Sequence, residues 1–465
     1  MKPFALLAAV LVSMSASAAD PLDQLTLERA IEIARENHRS LRASQAALDM
    51  AEAQYQQAMA AFGPKLGFEA GIQRADQDRT FSFSGTVQTP DLSISTPFGP
   101  VPVQGQPLPM NLDVKLFDRD VSKAALNFTY PLYTGGKEEA LQGMARKGAE
   151  IAREEKRRTE LEVVRDVRKY YNGVHFTQHM EALASDTLAR FEALEDLTDR
   201  LYQNASLRVK RTDYLRTKTT TAVTRSMLHE ARYASRLSKE ALVNAMGLPL
   251  NTPLTLAAET PLPPFDARLE DLIADAMQFN PDKQRLELAV QAASFKIDEA
   301  RSGYLPTIGL EASTYKVWND YQRGLFNDDN RDGWTIGIGI KWDLFDSGLT
   351  RAEVNAAQAG KLKLEAQRVL LDNGLALQIK DDFLRIQRSR VQVDDNLKAQ
   401  AYAEENRKLH VRAYQEEMVE TKDVIEAQIV ESFTQASLYR AGHELRTALA
   451  DLDYKLGRAL QRDSP

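Results

Sequence analysis

Two pairs of side chains have types and spacings that chemistry could use. His175 and His179 stand four residues apart, so a helix would put both imidazoles on one face, as in a metal-binding pair. A protein zinc site needs at least a third ligand. The other histidines, His38, His229, His410 and His443, are scattered along the chain. Two histidines without a third partner read as polar surface residues. Asp423 and Glu426 stand three apart and would also share a helix face. Carboxylates in that pattern attract cations, and on a lone helix they are an ordinary solvated acidic pair. The sequence holds no Walker loop, no GxSxG elbow and no HExxH. It therefore offers no enzyme constellation and calls for no cofactor. A net charge of −7 argues against a general nucleic-acid binder, which needs a basic surface.

The elements that must position these residues begin with an export signal. Lys2, the short apolar run from Phe4 to Val12, and Ala16-Ser17-Ala18 read as a secretory signal removed after residue 18. There is no cysteine, hence no disulfide framework and no site for a lipid anchor on sulfur. Beyond residue 18 no run of 18 apolar residues occurs. A place in a membrane would then require a closed β-barrel, because lipid leaves no other way to satisfy the backbone.

The chain is an internal duplication. At a constant offset of 242, Leu27 falls on Leu269, Ile31 on Ile273, Ala34 on Ala276, Ala58 on Ala300, Pro64 on Pro306 and Gly67 on Gly309. Further on the offset is 212, with Leu132 on Leu344, Gly136 on Gly348 and Tyr202 on Tyr414. Asp213 falls on Asp423 and Gly247 on Gly457 at 210. The first copy carries 30 more residues between its two strands. This divides the chain into a signal (1–18), a first repeat (19–247), a Pro-rich linker (248–266) and a second repeat (267–465).

Each copy reads helix, strand, loop, strand, very long helix, long helix. Residues 25–61 are rich in strong helix formers and stop at Gly63-Pro64. The strands alternate with period two: Leu66, Phe68, Ala70 and Ile72; Leu126, Phe128 and Tyr130; Ile308, Leu310 and Ala312. In the last, Trp334, Ile336, Ile338, Ile340 and Trp342 face one way, as on the lipid side of a barrel wall. Tyr130, Tyr133, Trp342 and Phe345 cluster where strands pass into helices and suit a membrane–water boundary. After Gly136 and Gly348 the helical pattern runs for roughly 65 residues, on the order of 100 Å, which is abnormal in a globular domain. A further helix is expected near 207–246. Residues 85–120, with Pro90, Pro97, Pro100, Pro102, Pro107 and Pro109, read as a long passive loop, and a shorter acidic loop holds Asp328, Asp329 and Asp332. Four strands cannot close a channel, so several subunits must pool theirs to hide the edges.

In this order and duplication the chain resembles the outer-membrane efflux protein family, the TolC-like channels, over nearly the whole sequence after the signal. The resemblance rests on Tyr130-Pro131-Leu132-Tyr133-Thr134-Gly135-Gly136, on Trp342-Asp343-Leu344-Phe345-Asp346-Ser347-Gly348, and on the run from Tyr414 through Asp423-Val424-Ile425-Glu426-Ala427 to Leu456-Gly457. It implies a mixed α and β homotrimer with a 12-stranded outer-membrane barrel, four strands per subunit, continued by a long α-helical periplasmic tunnel. It implies docking on a periplasmic adaptor (membrane fusion) protein and an inner-membrane transporter of RND, ABC or MFS type, and export of small molecules or proteins. It places Asp423 and Glu426 as acidic rings at the periplasmic aperture, and Thr212, Asp213 and Tyr414 in a latch between coils. Val419 departs from the pattern, which has an arginine there, so the latch must close differently; Lys210, Arg211 and Lys422 are the nearby cations. Two rival readings are a periplasmic coiled-coil adaptor, which the Trp-Ile-Ile-Ile-Trp alternation opposes, and an outer-membrane hydrolase, for which no nucleophile–base set is found.

Overall fold

A computed structural model describes residues 22–204, 209–262, 264–320, 331–416 and 418–457. The expected signal and Asp328 and Asp329 lie outside the described residues. In the first copy the chain runs β1 (Leu22–Leu25), α1 (Leu27–Asn37), α2 (Arg39–Ala61), β2 (Lys65–Arg74), β3 (Arg79–Gln88), β4 (Leu92–Thr96), β5 (Gly99–Val103), β6 (Pro107–Phe117), β7 (Asp120–Tyr133), α3 (Lys137–Gln203) and α4 (Arg211–Ala245). After β8 (Leu254–Leu256) the second copy runs α5 (Leu269–Phe279), α6 (Pro281–Arg301), β9 (Thr307–Asn319), β10 (Asp332–Lys341), α7 (Leu349–Gln415) and α8 (Thr421–Leu456). Among the described residues no helix is long and apolar enough to cross a membrane.

The chain divides into two compact units. The strand-bearing unit is Ala53–Arg146 with Gln291–Lys361. Its main sheet has the antiparallel order β10-β9-β7-β2, so the two copies meet at β7 and β9. Register lines the apolar side chains up in rows across the sheet. Ile338 lies opposite Leu310, and Leu310 opposite Tyr130. Ile336, Ala312, Phe128 and Leu66 form the next row, and Trp334, Thr314, Leu126 and Phe68 the one after. Trp334 is 74% exposed and Ile338 67%, which in water would be a large apolar patch. The opposite parity carries Lys65, Glu69, Lys123, Glu311 and Lys341. One lipid face and one aqueous face satisfy this pattern.

Each strand pair hands over to a helix through a left-handed turn. Gly135 and Gly136 have φ of 65° and 84°, and Ser347 and Gly348 have 56° and 85°. Thr134 then caps α3 by accepting from the Glu138 amide at 3.1 Å, while Asp346 caps α7 by accepting from the Thr350 amide at 2.7 Å. The bond from the Thr350 hydroxyl above all, and then that from the Thr350 amide, hold the Asp346 carboxyl below its ordinary range. The last strand ends at Lys341, one residue earlier than its alternation suggests, because the Trp342 indole turns to donate to the Tyr304 carbonyl at 3.1 Å. Tyr130, Tyr133 and Phe345 are exposed at the same strand ends.

Two expectations need correction. The 85–120 segment is not a passive loop but strands: β3 pairs with β6, and β4 with β5. Its prolines sit in the ribbon itself, as Pro100 and Pro102 of β5 and Pro107 and Pro109 of β6. The helix over 25–61 is two helices, broken at His38, whose ψ is 122°. Asn280 breaks the second copy identically, with ψ 125°. There the cause is Pro281, which disfavours a helical residue before it.

The helical unit is Lys147–Val290 with the chain up to Glu52 and from Leu362 onward. It contains the same core twice. Val167, Val174, Leu242, Ala34 and Met246 of one cluster correspond to Ile379, Ile386, Leu452, Ala276 and Leu456 of the other, all fully or nearly fully buried. Each fully buried aliphatic side chain contributes about 2 kcal/mol. The Pro-rich segment is more than a linker, since its β8 lies parallel to β1. Its Glu259 is clasped by Arg446 at 3.0 Å and His179 at 3.7 Å.

His38 takes its non-helical conformation without a proline: its Nδ1 accepts from the Ser40 amide at 3.3 Å at the start of α2, and a glycine at the far end of the copy packs against the break. Gly247, at φ 72°, packs so closely on the break that a Cβ would lie 2.8 Å from the Asn37 carbonyl. Gly457, at φ 68°, does the same at the second break, 2.4 Å from the Phe279 oxygen. Gly457→Ala adds a left-handed penalty of about 1–2 kcal/mol to that clash. The expected result is a thermal midpoint for the detergent-solubilised protein several degrees below wild type; an unchanged midpoint would mean that this contact is slack.

Candidate aperture and coil latch

The residues singled out on the helices gather where α3 and α7 end and α4 and α8 begin. Both of the latter start with the same device. The Asp423 carboxylate accepts from the Glu420 amide at 3.0 Å, and the Asp213 carboxylate from the Lys210 amide at 3.1 Å. An acidic side chain three residues into a helix satisfies a free amide there and offsets the positive end of the helix dipole. Asp423 is thus half-buried and committed to its own helix end, while Glu426, one turn on, is exposed. Glu420 beside Lys422, at 3.1 Å, holds that ammonium above its usual range. The two acids share a face but differ in freedom: Glu426 presents its charge outward and Asp423 presents what its cap leaves over.

The latch residues do not meet one another as a single lock. Thr212 is exposed, and Asp213 is occupied by its cap. Tyr414 is buried, and its hydroxyl lies 3.0 Å from the Thr421 hydroxyl and 3.3 Å from that of Thr198. This three-hydroxyl chain ties the ends of α3, α7 and α8 within one subunit. Around it Phe191, Leu194, Val424 and Ile425 form a small core, against which Val419 packs. An arginine at 419 would put its charge against that apolar cluster, so the departure from the family pattern fits the local packing. Tyr202, the counterpart of Tyr414, is more exposed and stacks on Tyr214 with ring centroids 5.1 Å apart.

A stronger tie was missed in the sequence. Glu431 is 4% exposed and lies 2.6 Å from Arg190 of α3 and 2.6 Å from Arg407 of α7. The signal was present: Thr421, Val424, Gln428 and Glu431 follow one another on the buried face of α8, so a carboxylate continues a stripe that faces inward. A charge there must be paired.

His175 and His179 point to different tasks. Burial beside Tyr171 pushes the His175 imidazole down from its ordinary pKa, and His179 pairs with Glu259. Their ring centroids are 6.5 Å apart, and among the described residues no group of three potential metal ligands forms.

Comparison with known proteins supplies the context. The family model described as outer membrane efflux protein matches residues 30–248 and 272–458, one segment in each copy. Nodulation protein T of Rhizobium leguminosarum bv. trifolii is 25% identical over 64% of this chain and 63% of its own length. Outer membrane efflux protein BepC of Brucella suis biovar 1 (strain 1330) is 25% identical over 53% of each. The chain thus spans between half and two thirds of the curated relatives it matches. Among solved structures, the Campylobacter jejuni CmeC outer membrane channel superposes with a TM-score of 0.76 at 14% identity, covering 94% of this chain and 87% of that one. The fold is the same despite the distant sequence.

Removing the Glu431 carboxylate tests the tie. Glu431→Ala takes the carboxylate from Arg407 and leaves Arg190 with Asp186, a loss of about 1–3 kcal/mol. Hydrogen exchange should accelerate at the end of α7 and the start of α8 and stay unchanged in β9 and β10. Equal protection in both proteins would show that the arginines are held by something else.

Proposed function

The chain belongs to the outer membrane efflux protein family, and on that footing we propose that it is the exit duct of a tripartite export system, working as a homotrimer. It is an outer-membrane protein whose helices form a periplasmic tunnel. The observation that carries the trimer is the four-stranded sheet, whose edges β2 and β10 are both open. In lipid every backbone group must be paired, so β2 of one subunit must pair with β10 of the next. Three sheets supply the 12 strands of a barrel above the minimum of about eight. Outer-membrane lipid covers the Trp334–Ile340 face, and Tyr130, Tyr133, Trp342 and Phe345 mark its periplasmic boundary.

The 67-residue helices α3 and α7 reach on the order of 100 Å. That length supports contact with a periplasmic adaptor and, through it, an inner-membrane transporter of RND, ABC or MFS type. The cargo is small molecules, such as toxic compounds, or proteins. We assign the chain no enzymatic activity.

At the periplasmic end, threefold symmetry makes Asp423 and Glu426 into two stacked acidic rings. Such rings favour cations and hold back anions. Thr212 and Asp213 face the neighbouring subunit as latch candidates, while Tyr414 braces the same end from inside. In planar bilayers, Asp423→Ala with Glu426→Ala should raise single-channel conductance several-fold and weaken block by trivalent cations added on the periplasmic side. Unchanged block would remove these residues from the aperture; a protein that forms no channel at all would remove the duct.

A further inference from the structure

The 30 residues by which the first copy exceeds the second build an amphipathic β-ribbon. In the pairing of β3 with β6, Phe81 lies opposite Val114, Phe83 opposite Leu112 and Val87 opposite Leu108, all on one face. The other face carries Ser82 opposite Asp113, with a 2.9 Å hydrogen bond, and Ser84 opposite Asn111. The tip repeats the division, with Ile94 opposite Val101 on one side and Ser95 opposite Pro100 on the other. The apolar side chains are bare: Phe81 is 53% exposed and Leu108 57%. At about 3.3 Å per residue the two ribbon segments together reach on the order of 50 Å. An isolated two-stranded hairpin is marginally stable in water, and one with an open apolar face is an aggregation site. Something covers this face.

Lipid does not fit. The ten residues of β2 already match the height of an outward apolar band, about 25 Å for tilted strands. Above them stands a collar of charge that separates strand from ribbon. Arg74 lies 3.5 Å from Asp120, and Lys115 lies 2.9 Å from Asp78 and 2.6 Å from Asp118. Addition of a foreign strand does not fit either. Pro100, Pro102, Pro107 and Pro109 occupy alternate positions of β5 and β6 and block that edge against further pairing, and a strand added at the opposite edge, β3 and β4, would leave the apolar face as bare as before.

The position of the ribbon supplies the remaining candidate. It continues the β2–β7 pair, and β2 is the edge strand at which one subunit must join the next. We infer that the apolar face of the ribbon is a subunit–subunit contact: in the trimer three ribbons pack apolar face to apolar face on the threefold axis, with their serine, threonine and asparagine faces in water. The contact rests on the trimeric duct proposed above. It forms an outer cap or collar over the barrel mouth that the second copy, lacking the insertion, cannot supply.

The absence of cysteine makes the test clean. Phe83→Cys and Leu112→Cys place single thiols on the apolar face, and Ser84→Cys places one on the polar face. Each is expressed in the outer membrane, its oligomeric state is read by native mass spectrometry, and it is then treated with an oxidant or a short bifunctional maleimide. The expected result is a cross-linked subunit dimer for Phe83→Cys or Leu112→Cys and none for Ser84→Cys. Labelling by a water-soluble maleimide should be at least tenfold slower at 83 and 112 than at 84. Trimers that cross-link at neither apolar position overturn the inference. Fast aqueous labelling would then mean a bare ribbon, and quenching of a thiol-attached fluorophore by nitroxide lipids would mean a membrane contact. A protein that is not trimeric overturns this contact together with the duct.

Discussion

The structure depends on one constraint: backbone amides and carbonyls at the edge of a sheet cannot be left unpaired in lipid. Each subunit carries four strands in the order β10-β9-β7-β2, with β2 and β10 open. A soluble sheet would cover such edges with a loop or a charge. Here the outward face is apolar up to both edges, so the edges must find each other in another copy. Everything else in the fold follows from holding those sheets in a ring. The long helices begin at the periplasmic strand ends, where Gly135-Gly136 and Ser347-Gly348 take left-handed turns, with glycine at three of the four positions.

The duplication explains how the helices stay in register over such a length. One core is used twice, and each copy is closed by the same contact, a terminal glycine set against a break in the first helix. The charges inside the helical unit follow a similar logic. Asp382, wholly buried between Lys455 and Arg385, is pushed up by desolvation and pulled down by its partners. Asp453 is paired with Arg168 at 2.9 Å, and Glu431 with Arg190 and Arg407. Such pairs add little net stability over apolar contacts of the same shape, but they are costly to misalign. In a bundle whose apolar stripes repeat, they fix which turn of one helix meets which turn of the next.

Much of this was legible in the residues. Period-two alternation located all four barrel strands, because a lipid face on one side and water on the other forces it. The constant offsets located the two copies. Three things were not legible. The break at His38 lacks the proline that marks Asn280, and the glycine that packs against it, Gly247, lies over 200 residues away. The ribbon reads as a loop because its prolines are breakers in most contexts and are tolerated only where their missing amide faces outward. The Glu431 tie needs knowledge of which face of α8 turns inward. The proposal that Asp423 and Glu426 line an aperture comes from resemblance to a family, and the helix cap formed by Asp423 is visible only with the backbone in place.

Three chains complete one barrel. The most direct measurement is the mass of the protein extracted from outer membranes in mild detergent, taken by native mass spectrometry at increasing collision energy. A complex of three chains should survive until the subunits unfold, since its seams are β-ladders between β2 and β10. A folded species of one chain would leave those edges unpaired, and one of two chains would close a barrel of only about eight strands; either would contradict a ring of three.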